Sequence, residues 1–241
     1  MSLPAFTPTD QPKPLYFTVT QPQVRNRLTA ALRLIWVIPQ FFVLFFVAIA
    51  AFVVGVIGWF GALFTGQLPD FAKEFLSGFI RWDARVTAYA NLLTDEYPPF
   101  SLEEDPAYPV QIAIPPAARL NPLSVFFRIV LVIPAAIVSG IVGSGVWLLA
   151  AVSWATITFA GTQPIPLYEA IRVVTRYQVR LYGYFWMLTP EYPWGVLGDA
   201  TAGTTGEAPP EGWSLQLSDG GKIAVYVAIA LGIITTIYRY H

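Results

Sequence analysis

The chain of 241 residues contains no cysteine, and its single histidine is His241 at the C-terminal end. The absence of cysteine excludes disulfides, thiolate catalysis, iron–sulfur clusters and zinc sites built on cysteine. Because no histidine lies in an apolar segment, a histidine-ligated haem within such a segment is excluded as well. We therefore expect no metal and no cofactor.

Charge is also scarce. Charged residues make up 12% of the chain, about half of the roughly 25% that is usual in soluble domains. The net charge of −1 gives no basic excess for binding nucleic acid. Hydrophobic residues reach 55% and aromatic residues 15%, which is more apolar surface than a soluble fold of this size could bury. The composition predicts an all-α integral membrane protein.

The chain repeats itself at an offset of 95 residues. When residues 26–98 are aligned without gaps on residues 121–193, 21 of the 73 positions are identical, against roughly one in ten expected from such a composition. The identical pairs include Arg33/Arg128, Ile38/Ile133, Pro39/Pro134, Trp59/Trp154, Gly66/Gly161, Pro69/Pro164, Arg81/Arg176, Arg85/Arg180 and Tyr89/Tyr184. The sequence therefore contains a tandem duplication, with one membrane repeat at 26–98 and a second at 121–193.

Each repeat begins with an apolar segment of 37 residues, 28–64 or 123–159, that holds one charged residue. A straight helix of that length would measure about 55 Å, whereas the hydrocarbon core is about 30 Å thick. Each segment is therefore either a helical hairpin of two short spans, or a surface helix followed by one long span beginning at Pro39 or Pro134. Three glycines and two serines in residues 139–145 favour a turn in repeat two, but residues 44–50 of repeat one have no such signal.

The distribution of basic residues favours the hairpins. With two spans per repeat, the basic residues outside the apolar segments fall on one side of the bilayer and the opposite turns carry no charge. With one span per repeat, equivalent arginines would be divided between the two sides. The sequence thus predicts hairpins with both repeats facing the same way, a cytoplasmic N-terminus, and Arg33 and Arg128 reaching the cytoplasmic headgroups.

A third helix follows in each repeat, after Pro69 and after Pro164. Its apolar side chains recur every three or four residues and its basic side chains lie on another face, which predicts an interfacial amphipathic helix. These arginines are the predicted sites for the headgroups of anionic lipids; the alternative is that they only set the topology. They are Arg81, Arg85, Arg172, Arg176 and Arg180.

Each repeat ends in the same triplet, Glu-Tyr-Pro, at 96–98 and at 191–193. Glu96 with Tyr97 and Glu191 with Tyr192 form a repeat-junction motif in which the two acids could be a symmetry-related pair for acid–base chemistry. The alternative is a structural role, in which the acids cap the preceding helix or pair with arginine. We expect the structural role and no catalytic residue.

The remaining segments connect or flank the repeats. Residues 1–25 form an extended leader without the pattern of a secretory signal, residues 99–120 are a connector, and residues 194–221 are a linker. Short alternating stretches at 15–20 and 109–114 predict two strands that pair with each other. Residues 222–241 predict a C-terminal transmembrane helix, since 223–237 are apolar.

Three stretches stand out along the chain: WFGALFTGQLP at 59–69, RWDARVTAY at 81–89 and LTDEYPPFS at 93–101. They resemble an uncharacterised family of bacterial membrane proteins, a domain of unknown function found in tandem in actinobacteria and Chloroflexi. The resemblance covers about residues 15–198, and repeat two departs from the motif at Pro190 and Trp194. It implies a multi-pass protein of the bacterial cytoplasmic (inner) membrane, and it supplies no catalytic or binding residue.

The sequence thus predicts a non-enzymatic accessory or scaffold subunit of a membrane complex. Its expected partners are anionic membrane lipids and other membrane protein subunits. The alternative is a lipid or small-solute transporter or channel, with a path between the two repeats. A membrane enzyme would depend on Glu96 and Glu191 alone.

Overall fold

The computed structural model describes residues 15–20, 25–193, 195–197 and 213–240, the side chains of the last two excepted. Most of the predicted leader and linker lies outside these residues. The elements in chain order are β1 (Tyr16–Val19), α1 (Arg27–Trp36), α2 (Ile38–Thr65), α3 (Asp70–Ala90), β2 (Val110–Ala113), α4 (Pro122–Phe126), α5 (Arg128–Ala155), α6 (Ile165–Phe185) and α7 (Asp219–Tyr240). A π-helical turn, Thr156–Ala160, extends α5. The chain is mostly helical, as its composition predicts.

The hairpin prediction is wrong, because each long apolar segment contains one continuous helix rather than two. Residues 44–50 lie in the middle of α2, and residues 139–145 lie in the middle of α5. The other arrangement, a short helix followed by a long one, is the one observed. In repeat one the break falls beside Pro39, whose missing N–H leaves α1 to end at Trp36. In repeat two the break falls earlier, at Phe127, and Pro134 lies inside α5.

The glycines of residues 139–145 make a close helix contact instead of a turn. A Cβ on Gly145 would lie 2.8 Å from the Cα of Ala228 in α7 and nearer still to its carbonyl oxygen. A Cβ on Gly232 in α7 would lie 2.8 Å from the carbonyl carbon of Ile141. Small residues allow two helix backbones to approach this closely, so the glycine signal belongs to the packing of α5 on α7.

Three helices of the described chain are long and apolar enough to cross a membrane. They are Ile38–Thr65, Arg128–Ala160 and Asp219–Tyr238. The predicted C-terminal span is among them, but the five spans expected from two hairpins are reduced to three candidates. Their length and composition are compatible with a membrane protein.

The two predicted strands pair, and their register reveals a pseudo-two-fold axis. β1 and β2 are antiparallel, with Tyr16 opposite Ala113 and Thr18 opposite Gln111. At the repeat offset of 95, Tyr16 is equivalent to Gln111 and Thr18 to Ala113, so exchanging the repeats maps one pair onto the other. Phe17 pairs with Ile112, its own equivalent. The axis therefore passes through this pair of residues.

The two repeats run in opposite directions about this axis. The indole of Trp59, near the end of α2, donates to the Val125 carbonyl of α4 at 2.8 Å. The equivalent Trp154, near the end of α5, packs with Ala30 of α1. Because α2 and α5 each measure about 42 Å, contact of each helix end with the other helix's beginning requires the two to be antiparallel. The prediction that both repeats face the same way is wrong.

The antiparallel arrangement removes the charge argument for a cytoplasmic N-terminus. Arg27 donates to the carbonyl of Ala160, at the end of α5, over 3.1 Å. Arg119 lies beside Gly66, at the opposite end of the long helices. Basic residues therefore occur at both ends of the molecule, and the orientation of the chain in a membrane stays a prediction.

The elements form three layers. The helices α3 and α6 pack against each other in the middle layer, and the ribbon of β1 and β2 covers one side of them. The helices α2, α5 and α7 pack on the middle layer and turn broad apolar faces outward, where Phe42, Phe45 and Phe64 are 66%, 61% and 81% exposed. The buried core lies mainly along α3 and α6.

Candidate functional site

In each repeat, a buried arginine holds the end of the amphipathic helix. Arg33 of α1 is 1% exposed and donates to the carbonyls of Tyr89 and Thr94 at 2.6 and 2.7 Å. It also pairs with the carboxylate of Asp95 at 2.6 Å. The last carbonyls of a helix have no partner within it, and the helix dipole favours a cation there. Arg33 therefore supplies the C-terminal cap of α3.

Repeat two has the same arginine cap, but it lacks the carboxylate that pairs with the arginine in repeat one. Arg128 is 2% exposed and donates to the carbonyls of Tyr184 and Thr189, each at 2.9 Å. Its guanidinium stacks on the ring of Tyr184 at 3.9 Å, as that of Arg33 stacks on Tyr89 at 4.4 Å. Pro190 takes the place of Asp95. The expectation that these two arginines reach lipid headgroups is wrong, because both are buried against helix ends.

The backbone after each helix also repeats. Leu92 and Met187 occupy equivalent positions and have positive φ angles of 61° and 62°, a conformation that costs an ordinary residue about 1 kcal/mol or more. The next N–H, of Leu93 or Leu188, returns to a carbonyl in the last helical turn at 2.8 or 2.9 Å. Both left-handed residues are buried, and their burial offsets the strain.

Three of the five arginines of α3 and α6 contact the protein rather than open solvent. Arg85 is 3% exposed and donates to the carbonyls of Ser101 and Glu103 at 3.3 and 2.6 Å. Arg176 is fully buried, and Arg180 donates to the Leu15 carbonyl at 3.1 Å. The expected exposed arginine face is therefore absent at Arg85 and Arg176.

Arg81 and Arg172 retain partial exposure. Arg81 lies 3.6 Å from the Glu104 carboxylate, and Arg172 lies over the Tyr168 ring at 5.6 Å. A cavity of about 10 Å³ between α3 and the connector is lined by Arg81, Arg85 and Glu104, among others. That volume suits one water molecule and no larger ligand. Binding of lipid headgroups by the five arginines stays a prediction.

The structure does not bring the two repeat-junction acids together. Glu96 follows the cap of Arg33 and Glu191 follows the cap of Arg128, at opposite ends of the antiparallel repeats. In each junction the backbone N–H of the glutamate donates to a threonine hydroxyl two residues earlier, at 3.2 or 3.1 Å.

The junction tyrosines pack on the capped helix. The ring of Tyr97 meets that of Tyr89 edge to face at 5.5 Å, and that of Tyr192 meets Tyr184 at 5.3 Å. Each junction therefore packs against the end of the capped helix and has a structural role.

A polar cluster between α3 and α6 was missed by the sequence reasoning. Asp83 of α3 lies beside Tyr182 of α6, and their repeat equivalents, Gln178 and Thr87, complete the cluster by symmetry. Three of the four are half-buried, and Tyr182 is 44% exposed. Burial raises the pKa of the Asp83 carboxyl to about 6. Burial raises the pKa of the Tyr182 phenol, and the neighbouring Asp83 carboxylate raises it further. In the sequence, the only sign of this cluster is that Asp83 falls at helical spacing between the apolar residues Phe79 and Val86 of α3.

Within the described ranges, no group of three or more histidine, aspartate or glutamate side chains is placed to hold a metal ion. The comparisons with known proteins add a family. The sequence model of the domain of unknown function DUF4389 matches the chain twice, over residues 27–101 and 122–196. No curated protein and no solved structure matches the chain.

Proposed function

This chain belongs to the DUF4389 family, and we propose that it is a non-enzymatic integral membrane protein that serves as an accessory or scaffold subunit of a membrane complex. The observation that carries the proposal is where its arginines are used. Arg33, Arg85, Arg128 and Arg180 all donate to backbone carbonyls of the protein itself. These four basic side chains therefore stabilise the two repeats and are not free to act in catalysis.

The outer surface supports a role in assembly within the bilayer. The outward face of α2 presents a row of phenylalanines, with Phe42 66%, Phe45 61% and Phe52 61% exposed. Monomeric soluble proteins rarely expose apolar patches of this extent. Lipid chains and the transmembrane helices of partner subunits have the chemistry to cover such a face.

Anionic lipid is the second proposed contact. Arg81 and Arg172 keep part of their side chains accessible, and a basic residue near a bilayer surface contributes about 1 kcal/mol toward anionic headgroups. Native mass spectrometry of lipid-bound protein measures this directly. Arg81→Gln should reduce retention of phosphatidylglycerol relative to phosphatidylcholine, and equal retention by the wild type would contradict this contact.

A photo-crosslinking residue placed at Phe45 tests the scaffold role in native membranes. We expect a reproducible adduct with one partner protein. A crosslinker at Tyr168, which is 2% exposed, is the matched control and should give none. Adducts with lipid alone at Phe45, together with a monomer that co-purifies with no other subunit in mild detergent, would contradict the proposal.

A path between the repeats is the second candidate function. The antiparallel arrangement favours it, because many transporters are built from inverted repeats related by a pseudo-two-fold axis. Ion or solute flux in liposomes separates the two functions. A flux that Asp83→Asn abolishes supports a path, whereas the absence of flux in every form favours the scaffold.

A further inference from the structure

The register between α3 and α6 places a carboxyl close to the pseudo-two-fold axis. The rings of Phe79 and Trp186 meet edge to face at 6.3 Å, and one helical turn further on Asp83 lies beside Tyr182. Numbers rise along α3 while they fall along α6, so the helices are antiparallel. In this register Arg85 lies at the same height along the helix pair as Arg180, its own repeat equivalent. The axis therefore crosses the helix pair within one turn of Asp83.

The polar cluster shares this symmetry. Gln178 is the repeat equivalent of Asp83, and Tyr182 is the repeat equivalent of Thr87. Asp83 and Thr87 are one turn apart and share a face of α3, as Gln178 and Tyr182 share a face of α6. Because Asp83 lies beside Tyr182, the pseudo-two-fold axis places Thr87 at the level of Gln178. Two equivalent pairs of polar side chains thus meet where the repeats join.

The cluster faces the long apolar helices. The amide nitrogen of Gln178 lies 2.9 Å from where a Cβ would stand on Gly143, midway along α5. Arg81 and Arg85 are each two residues from Asp83, which is about 200° around the helix, and Arg85 faces the connector before β2. Asp83 therefore points away from the basic side of α3, toward the layer that contains the candidate spans.

No positive group of the described chain faces Asp83. The helix α2, which packs on α3, contains no acidic or basic residue. The only charged residue in α5 is Arg128, which is used at the end of α6. The titratable group that α6 brings to Asp83 is Tyr182. Within the described residues the Asp83 carboxyl has no hydrogen-bond or ion-pair partner.

A half-buried carboxylate without a cationic partner is costly, and the usual resolutions are a proton or a bound cation. We propose that Asp83, with Thr87, Gln178 and Tyr182, forms a proton-binding site at the junction of the two repeats. The site is separate from the arginine caps and from any partner surface, and it does not depend on the scaffold role. An ionisable residue among apolar helices of a membrane protein commonly marks such a functional position.

Infrared spectroscopy of the full-length protein in mild detergent tests the site, because a protonated carboxyl has its own C=O band. We expect one band that titrates near pH 6, in keeping with the raised pKa of Asp83. Asp83→Asn should remove it, while Asp83→Glu should keep a titrating band at a shifted midpoint. Asp70→Asn removes an exposed acid from the same helix and should leave the band unchanged.

The salt in the buffer separates a proton from a metal cation. The midpoint should be the same in sodium, potassium and N-methyl-glucamine chloride at equal ionic strength. A midpoint that falls in sodium or potassium would assign the site to that metal ion and overturn the proton assignment. A band that persists in Asp83→Asn, or a wild type with no band titrating above pH 5, would overturn the site itself.

Discussion

Adding one methyl group at Gly145 should loosen α7 from the rest of the protein. The new Cβ would lie 2.8 Å from the Cα of Ala228, whereas carbon atoms in good contact are about 3.5–4.0 Å apart. Because the carbonyl oxygen of Ala228 would be nearer still, the two backbones must separate locally by at least about 1 Å. The obstacle is backbone rather than a flexible side chain, so no rotamer change relieves it.

The cost follows from this displacement. A gap of 0.5–1 Å forfeits about a quarter to a half of the dispersion energy of each affected contact, and overpacking in a core costs about 1–3 kcal/mol. Alanine in a helix offsets part of this, since it is more favourable than glycine by about 0.5–1 kcal/mol. Gly145→Ala should therefore destabilise the protein by roughly 1–2 kcal/mol.

Gly140 is the matched control, because a Cβ there would meet nothing within 4 Å. Gly140→Ala should retain the higher helix propensity of alanine without a clash, and it should stabilise the protein by up to about 1 kcal/mol. Gly232→Ala, on the α7 side of the same contact, should behave like Gly145→Ala.

Thermal unfolding in mild detergent, followed by circular dichroism, compares these variants, and limited proteolysis reports release of α7. We expect opposite signs for the Gly145 and Gly140 variants and faster cleavage before α7 in the first. If Gly145→Ala raised the melting temperature as much as Gly140→Ala, the close contact of α5 with α7 would be refuted.

Three further outcomes test the repeat arrangement. Asp95→Asn removes the carboxylate from the buried arginine of repeat one and should lower the free energy of unfolding by about 1.5–3 kcal/mol, measured by denaturation in detergent; an unchanged value would contradict the cap. Trp59→Phe removes a hydrogen bond and should cost about 1 kcal/mol more than Trp154→Phe, whose indole N–H has no partner among the described residues; equal losses would argue against the Trp59 hydrogen bond. In this cysteine-free chain, Gln67→Cys and Thr162→Cys occupy equivalent exposed positions and should react with an impermeant maleimide from opposite sides of an oriented vesicle. Labelling of both from one side would exclude the antiparallel repeats.

The wrong prediction of a helical hairpin in each repeat has a definite physical origin. A serine- and glycine-rich run predicts a turn when the chain is considered alone, but the same small side chains also let two helices approach. The choice at Gly145 depends on α7, which lies more than 70 residues later in the chain. The positive-inside rule gave the wrong orientation of the repeats for a related reason, since equivalent arginines of two repeats need not lie on one side.

The candidate site, too, could be predicted from the sequence only in part. The equivalence of Arg33 with Arg128 was evident from the duplication, but their roles were not, because an arginine near the end of an apolar helix can reach headgroups or a helix terminus equally well. Asp83 is one of 15 acidic residues, and it is distinguished in the sequence only by the apolar residues Phe79 and Val86 that share its side of the helix. Its importance comes from Tyr182, which the packing of α6 on α3 brings beside it.

The sequence by itself determined the duplication, the helical class, the two pairing strands and the apolar segments, because composition and periodicity are local properties that survive without tertiary contacts. Only the tertiary structure decided that the repeats oppose each other, that the arginines turn inward and that an acid lies at their junction. Those outcomes depend on which surfaces meet across the pseudo-two-fold axis. Two equivalent repeats can pack parallel or antiparallel, and only the contacts between them distinguish the two arrangements.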